Sequence, residues 1–148
     1  MNAKYRHGNR NKYLLRYHLI FVCKYRKSCL ANRRVADYIK ELSIYISQKH
    51  NVSILIMEAD RDHIHYMIET TPNMNLSDFV RVLKQYTTYH VWERFGLLLR
   101  NYYWHEKTFW SDGYFIASIG EVSSTTQSFG APRGKLRFPL TDRNYITG

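Results

Sequence analysis

The stretch VSILIMEADRDHIHYMIET (52–70) decides how this chain folds. Residues 52–59 are apolar and rich in β-branched side chains, so they read as a strand. A polar turn at Asp60-Arg61 follows. A second strand, HIHYMIET (63–70), then runs until just before Pro72. On a strand, residues i and i+2 share a face. His63 and His65 therefore project side by side, while Ile64 and Tyr66 face the other way.

The flanking sequence supplies the other elements. Residues 13–26, YLLRYHLIFVCKYR, predict a strand that is apolar on both faces at its middle. Arg16, His18, Lys24 and Arg26 share one parity and predict a basic row on one face of the sheet. Residues 33–49 predict a helix, with Val35, Tyr38, Ile39, Leu42, Tyr45 and Ile46 at helical spacing behind an Asn32 N-cap. A second helix is predicted from Leu76 to Phe95, capped by Asn75 or Ser77 and closed by Gly96. After the turn signal Ser111-Asp112-Gly113 comes a strand from Tyr114 to Ile119. The order is βαββαβ. It predicts an α+β, ferredoxin-like domain, an antiparallel sheet with helices on one face. The expected boundaries are a basic arm over 1–12, the domain over 13–122 and a divergent segment over 123–148. In that last segment Gly130, Pro132, Gly134 and Pro139 forbid a continuous helix and predict irregular structure.

Composition narrows the partners. With 22 Lys+Arg against 12 Asp+Glu, the formal charge is +10, which favours a polyanion. Thirteen tyrosines among the basic residues suit unstacked bases, although they equally suit a core. Arg81 and Lys84 on the second helix either form a solvated face or track phosphates. Trp92, Trp104 and Trp110 read as core or interface anchors. No apolar run reaches the ~18 residues that a membrane span needs. The basic N-terminus lacks a secretory apolar region, so a cytoplasmic protein is expected. Cys23 and Cys29 match no zinc or disulfide framework and read as buried or half-buried thiols.

The paired histidines admit three readings: two structural imidazoles, a zinc hydrolase centre, or a site for Mg²⁺ or Mn²⁺. Zinc needs a third strong nitrogen or sulfur ligand, and none stands at familiar spacing. Glu58, Asp60 and Asp62 favour the harder ion, as oxygen ligands or as groups that orient the imidazoles. Such a centre in a basic, aromatic chain suggests phosphodiester chemistry, with a tyrosine as a nucleophile able to store the bond covalently.

Three segments, YHLIFVCKYRK (17–27), DHIHYMIE (62–69) and FWSDGYFIASIG (109–120), resemble in order and spacing the HUH single-tyrosine transposases, the TnpA-type enzymes of the insertion sequence 200 family. The resemblance covers roughly residues 13–126. It implies a homodimer joined through its sheets that cuts and rejoins single-stranded DNA beside hairpins at element ends, using Mg²⁺ or Mn²⁺ and a tyrosine. By the resemblance His63 and His65 are metal ligands, and Glu58, Asp60 and Asp62 fall where members carry acids near the metal. One departure stands out. The family's tyrosine and the glutamine one helical turn later would fall at Phe129 or Gly130 and at Arg133 or Gly134, and neither is present. Tyr145 is the only tyrosine downstream, and so the remaining candidate nucleophile. A non-catalytic module that binds single-stranded nucleic acid is the competing expectation.

Overall fold

A computed structural model of the chain describes residues 14–119 and 145–147. The central hairpin forms as expected. Strand β2 (Ser53–Ala59) pairs antiparallel with β3 (His63–Thr70) across the Asp60–Asp62 turn, with one register shift between Ile54 and Ile56. Strand β1 (Leu15–Val22) lies on the other side of β3, and β4 (Gly113–Ile119) lies beyond β1. The sheet order is β2-β3-β1-β4-β5, every pairing antiparallel. Helices α1 (Arg33–Lys49) and α2 (Leu76–Leu99) fill the two crossovers, so the fold class is the predicted α+β arrangement.

Alternation along β3 is complete and explains which face the helices cover. Ile64, Tyr66, Ile68 and Thr70 are buried, while His63, His65, Met67 and Glu69 are only half-buried. Leu19 and Phe21 of β1 join the buried set, and α1 and α2 close over them with Val35, Ile39, Phe79 and Leu83. Removing this apolar surface from water is the main drive for the fold. Asn32 caps α1 by accepting from the backbone N–H of Arg34 and Val35, and Asn75 caps α2 by accepting from Asp78. Each satisfies donors that a helix start leaves open.

Four expectations are corrected. The first strand stops at Val22 rather than residue 26, because Cys23 makes one isolated bridge to Trp110 and the chain then turns through Lys24–Arg26. The basic row is therefore cut in half: Arg16 and His18 remain on the strand, whereas Lys24 and Arg26 do not. Helix α2 does not end at Gly96. It bends at Phe95 (φ −120°) and continues to Leu99, since at Gly96 the structure offers no positive-φ turn to close it. Of the tryptophans, Trp92 and Trp110 are core anchors, whereas Trp104, 76% exposed, is not in the core and keeps only the interface half of that expectation. The fourth concerns the divergent segment: Tyr145–Thr147 is a short strand, β5, paired to β4, and not irregular. Cys23 and Cys29 are both buried free thiols.

Candidate functional site

The face of the sheet away from the helices carries the candidate site, and strand register assembles it. His63 stands opposite Val22, and His65 stands between Ile20 of β1 and Glu58 of β2. His18, one step along on β1, reaches across: its Nδ1 lies 2.7 Å from His65 Nε2, and the two rings stack at 4.8 Å. Burial lowers the pKa of both His18 and His65. Between His65 and its neighbours, Glu58 pulls upward and His63 pushes down; for His18, His65 pushes down. Both imidazoles are thus neutral at physiological pH, the state in which an imidazole has a lone pair to donate.

His63 is held differently. Its Nδ1 donates to Asp62 Oδ1 at 2.9 Å, and Asp62 Oδ2 accepts from Arg26 Nε at 3.0 Å. Burial pushes the Asp62 carboxyl up, but the His63 hydrogen bond and the Arg26 charge outweigh it and hold the group below the usual carboxylate range. Arg26 reaches Asp62 from an unusual backbone. Tyr25 and Arg26 are consecutive non-glycine residues in the left-handed region, at φ 60° and 55°. Such conformations cost about 1–3 kcal/mol each and persist only where surroundings impose them. Here Lys24 N–H donates to the Phe109 carbonyl at 2.8 Å, and Tyr103 Oη donates to the Lys24 carbonyl at 2.9 Å.

The remaining predicted site residues divide clearly. Glu58 faces His65 across the strands. Asp60 sits in the turn, its Oδ1 accepting from Arg61 N–H at 2.8 Å. Among the described residues no three His, Cys, Asp or Glu side chains converge on one point. His63 and His65 are thus the two imidazoles that β3 offers on this face, and any further ligand to an ion would have to come from elsewhere. The residues predicted to meet DNA all have partners within the chain. Arg16 pairs with Glu69 at 2.8 Å, Lys24 with Glu106 at 3.9 Å and Arg26 with Asp62, while Arg81 pairs with Asp78 one turn earlier. His18 contacts His65. Lys84 donates from Nζ to the carbonyls of Ser111, Asp112 and Gly113 at 2.9, 3.3 and 2.9 Å. Burial lowers its ammonium to about 8 against the upward pull of Asp112. Exposed pairs such as Arg16–Glu69 are weak and exchange readily for a phosphate. Lys84 is instead built into the fold.

Tyr145 is paired with Phe115. Phe115 is paired with Ile20, and Ile20 with His65, so all four share one row across the sheet. Three strand spacings of about 4.8 Å separate the backbones of Tyr145 and His65, about 14 Å in all. The positions where a tyrosine and glutamine were sought, Phe129, Gly130, Arg133 and Gly134, lie outside the described residues. A cleft of about 560 Å³ opens between α2 and the 107–112 segment, beside Arg81, Gln85 and Tyr89, and no histidine lines it.

Two features of this site were not readable from sequence. The His18–His65 contact depends on the register between β1 and β3, which are not consecutive. The Arg26–Asp62 contact depends on two left-handed residues that carry no glycine signal.

The chain is similar to known proteins over most of its length. Residues 11–128 match the family described as "Transposase IS200 like". The transposase of insertion sequence element IS200 from Salmonella typhimurium is 31% identical over 117 residues, which cover 77% of this chain and 73% of that protein. The ISDra2 transposase TnpA of Deinococcus radiodurans is 29% identical over 109 residues, 74% of this chain and 76% of that protein. A crystal structure from Deinococcus radiodurans R1, assigned as a transposase, superposes with a TM-score of 0.66 at 28% identity and covers 82% of this chain and 88% of that one. A REP-associated tyrosine transposase solved with a REP hairpin shares the fold at a TM-score of 0.52 and 13% identity, covering 76% and 62%. With a family match spanning most of its length and a strand-borne histidine pair on the sheet's far face, the chain belongs to the IS200-like transposase family.

Proposed function

We propose that this chain binds single-stranded hairpin DNA at the ends of an insertion sequence, with Mg²⁺ or Mn²⁺ held by His63 and His65. The observation that carries this reading is the histidine pair itself: two imidazoles on one face, one neutralised by burial and the other aimed by a carboxylate. Glu58 stands opposite His65 across the strands and is the acid this reading assigns beside the pair. The family match, the formal charge of +10 and the hairpin in the REP-associated relative support DNA as the partner. A bound divalent ion would polarise the scissile phosphate and stabilise charge on the leaving oxygen. The chain's own residues hold the imidazoles neutral and oriented. Arg16, Lys24 and Arg81, exposed or half-exposed, exchange their carboxylate partners for DNA phosphates, and homodimerisation through the sheets in the cytoplasm belongs to the same reading.

Strand cleavage in this reading falls to Tyr145, because positions 129, 130, 133 and 134 carry neither a tyrosine nor a glutamine. The family match stops at residue 128, before the positions where the nucleophile was sought. Tyr145, the remaining candidate, sits about 14 Å along the sheet from His65. A tyrosine side chain does not span that distance.

The test is incubation of the full chain with single-stranded hairpin DNA and Mn²⁺, followed by gel-shift and denaturing gels. Expected are a shifted complex and no covalent protein–DNA adduct. An adduct that disappears in Tyr145→Phe would restore Tyr145 as the nucleophile. His63→Ala and His65→Ala are each expected to lose Mn²⁺ binding; retention of parental affinity by both would remove the metal site. Metal-independent affinity that prefers unstructured RNA would replace the reading with a non-catalytic binding module.

A further inference from the structure

We propose that Arg26 and Asp62 are positioning residues that fix the tautomer of His63, so that its Nε2 carries the lone pair. Asp62 offers only acceptor oxygens here: Oδ2 accepts from Arg26 Nε, and Oδ1 lies 2.9 Å from His63 Nδ1, so the imidazole donates from Nδ1. A neutral ring protonated at Nδ1 must hold its lone pair on Nε2. Asp62 is in turn fixed by Arg26 Nε on its other oxygen at 3.0 Å, which prevents the carboxylate from rotating off the ring.

Arg26 is placed for this by the strained turn. Between Val22, opposite His63, and the 3-10 turn, the chain has only Cys23, whose N–H donates to the Asp62 carbonyl at 2.8 Å. The two left-handed residues that follow fold Arg26 back toward Asp62 rather than outward. The turn is also tied at Lys24 by Phe109 and Tyr103, and the Tyr25 hydroxyl donates to Glu106 at 3.1 Å. A turn held in this conformation from three sides delivers a guanidinium to one carboxylate, and that carboxylate to one nitrogen. Histidines that bind metals are regularly oriented through their other nitrogen in this way, and loss of such a partner weakens metal binding about 10- to 100-fold. Sequence had left Asp62 as either a ligand or a group that orients the imidazoles, and had suggested Arg26 as a DNA contact; the geometry favours the orienting role for Asp62 and gives Arg26 a different task. Its value to the protein rests on His63 being a ligand, as proposed above, whereas the tautomer itself does not.

The test reads the ring directly. Long-range ¹H–¹⁵N spectra of the metal-free full chain at pH 8 report which imidazole nitrogen bears the proton, with the His63 signals assigned from His63→Gln. The parent is expected to show Nδ1–H. Asp62→Ala is expected to return His63 to the Nε2–H form that free side chains favour and to weaken Mn²⁺ binding, measured by electron paramagnetic resonance, at least 10-fold. Arg26→Gln, a change at an exposed residue that spares the fold, should shift the ring in the same direction by less, and Arg26→Lys should restore part of it. A parent ring protonated at Nε2, or spectra for Asp62→Ala and Arg26→Gln identical to the parent's, would overturn the assignment. Should the parent bind no Mn²⁺, the metal reading fails while the ring spectra still decide the role of Arg26 and Asp62.

Discussion

The strand that bears the histidines is tied to the helix layer by one buried polar contact, and removing it gives a stringent check on the fold. Tyr66, adjacent to His65 but pointing the opposite way, is fully buried, and its hydroxyl lies 2.8 Å from Ser43 Oγ on α1. Ser43 Oγ donates to the Ile39 carbonyl at 2.7 Å, so its single proton is spent and Tyr66 must donate to it. Tyr66→Phe deletes that donor with almost no change in volume. Ser43 keeps its bond to Ile39, so the cost is one neutral hydrogen bond, about 1 kcal/mol. Ser43→Ala is worse, because it strands the Tyr66 hydroxyl in a dry core, at about 2 kcal/mol. In the double variant no donor is stranded. The penalties should then fall short of additivity by about 1 kcal/mol, well outside the ~0.3–0.5 kcal/mol seen for independent sites. Urea unfolding followed by fluorescence of the buried Trp92 and Trp110 measures all three. Additive costs, or a Ser43→Ala variant as stable as the parent, would refute the pairing of β3 to α1 through this bond.

Three shorter predictions follow from the same packing. Ser47, one turn beyond Ser43, has a buried hydroxyl with no hydrogen-bond partner, so Ser47→Ala should stabilise by about 0.5–1 kcal/mol in the same urea experiment. Burial lowers the pKa of His18 and His65. Below the unfolded value of about 6.5 the unfolded chain therefore takes up protons that the native state refuses, and stability must fall as pH drops. The urea midpoint should be lower at pH 5.5 than at pH 7.5, and His18→Gln should flatten the difference; a higher midpoint at pH 5.5 would contradict the burial of these rings. In hairpin-DNA binding, Arg81→Gln should reduce the slope of log affinity against log salt by about 1, and Lys84→Met should leave it unchanged, because Lys84 is committed to three carbonyls.

How much of this was written in the sequence depends on the range over which each signal acts. The β2–β3 hairpin was legible because both of its strands and their turn lie within 52–70, and period-two alternation fixes the faces locally. Caps were legible for the same reason: Asn32 and Asn75 satisfy donors only two or three residues away. The continuation of α2 past Gly96 was not, since the glycine sits beside Trp92 in the helix and closes nothing. The candidate site was half legible. His63 and His65 share a face by spacing alone, but the partners that fix them, His18 and Arg26, lie 47 and 36 residues from the residues they contact. Arg26 was misread for a physical reason. Parity along a strand predicts an outward face only while the strand continues, and this one ends at Val22.

The same register that assembles the histidines also limits what Tyr145 can do. A row of paired residues moves sideways across a sheet in fixed steps, and side-chain rotation does not shorten the backbone separation. His65 and Tyr145 are separated by the whole of β1 and β4. For Tyr145 of the same chain to attack a phosphate held at the histidines, β5 would have to leave β4 and surrender its pairing. A three-residue strand has little pairing to lose, so its release is cheap. The cost lies instead in aim, because a nucleophile released from the sheet has no rigid element to hold it within the narrow geometry that in-line attack demands. In the proposed reading, ion binding draws on β3 with Glu58 of β2, and DNA binding on Arg16 of β1, Lys24 of the turn and Arg81 of α2. Attack by Tyr145 would need a support beyond a three-residue strand.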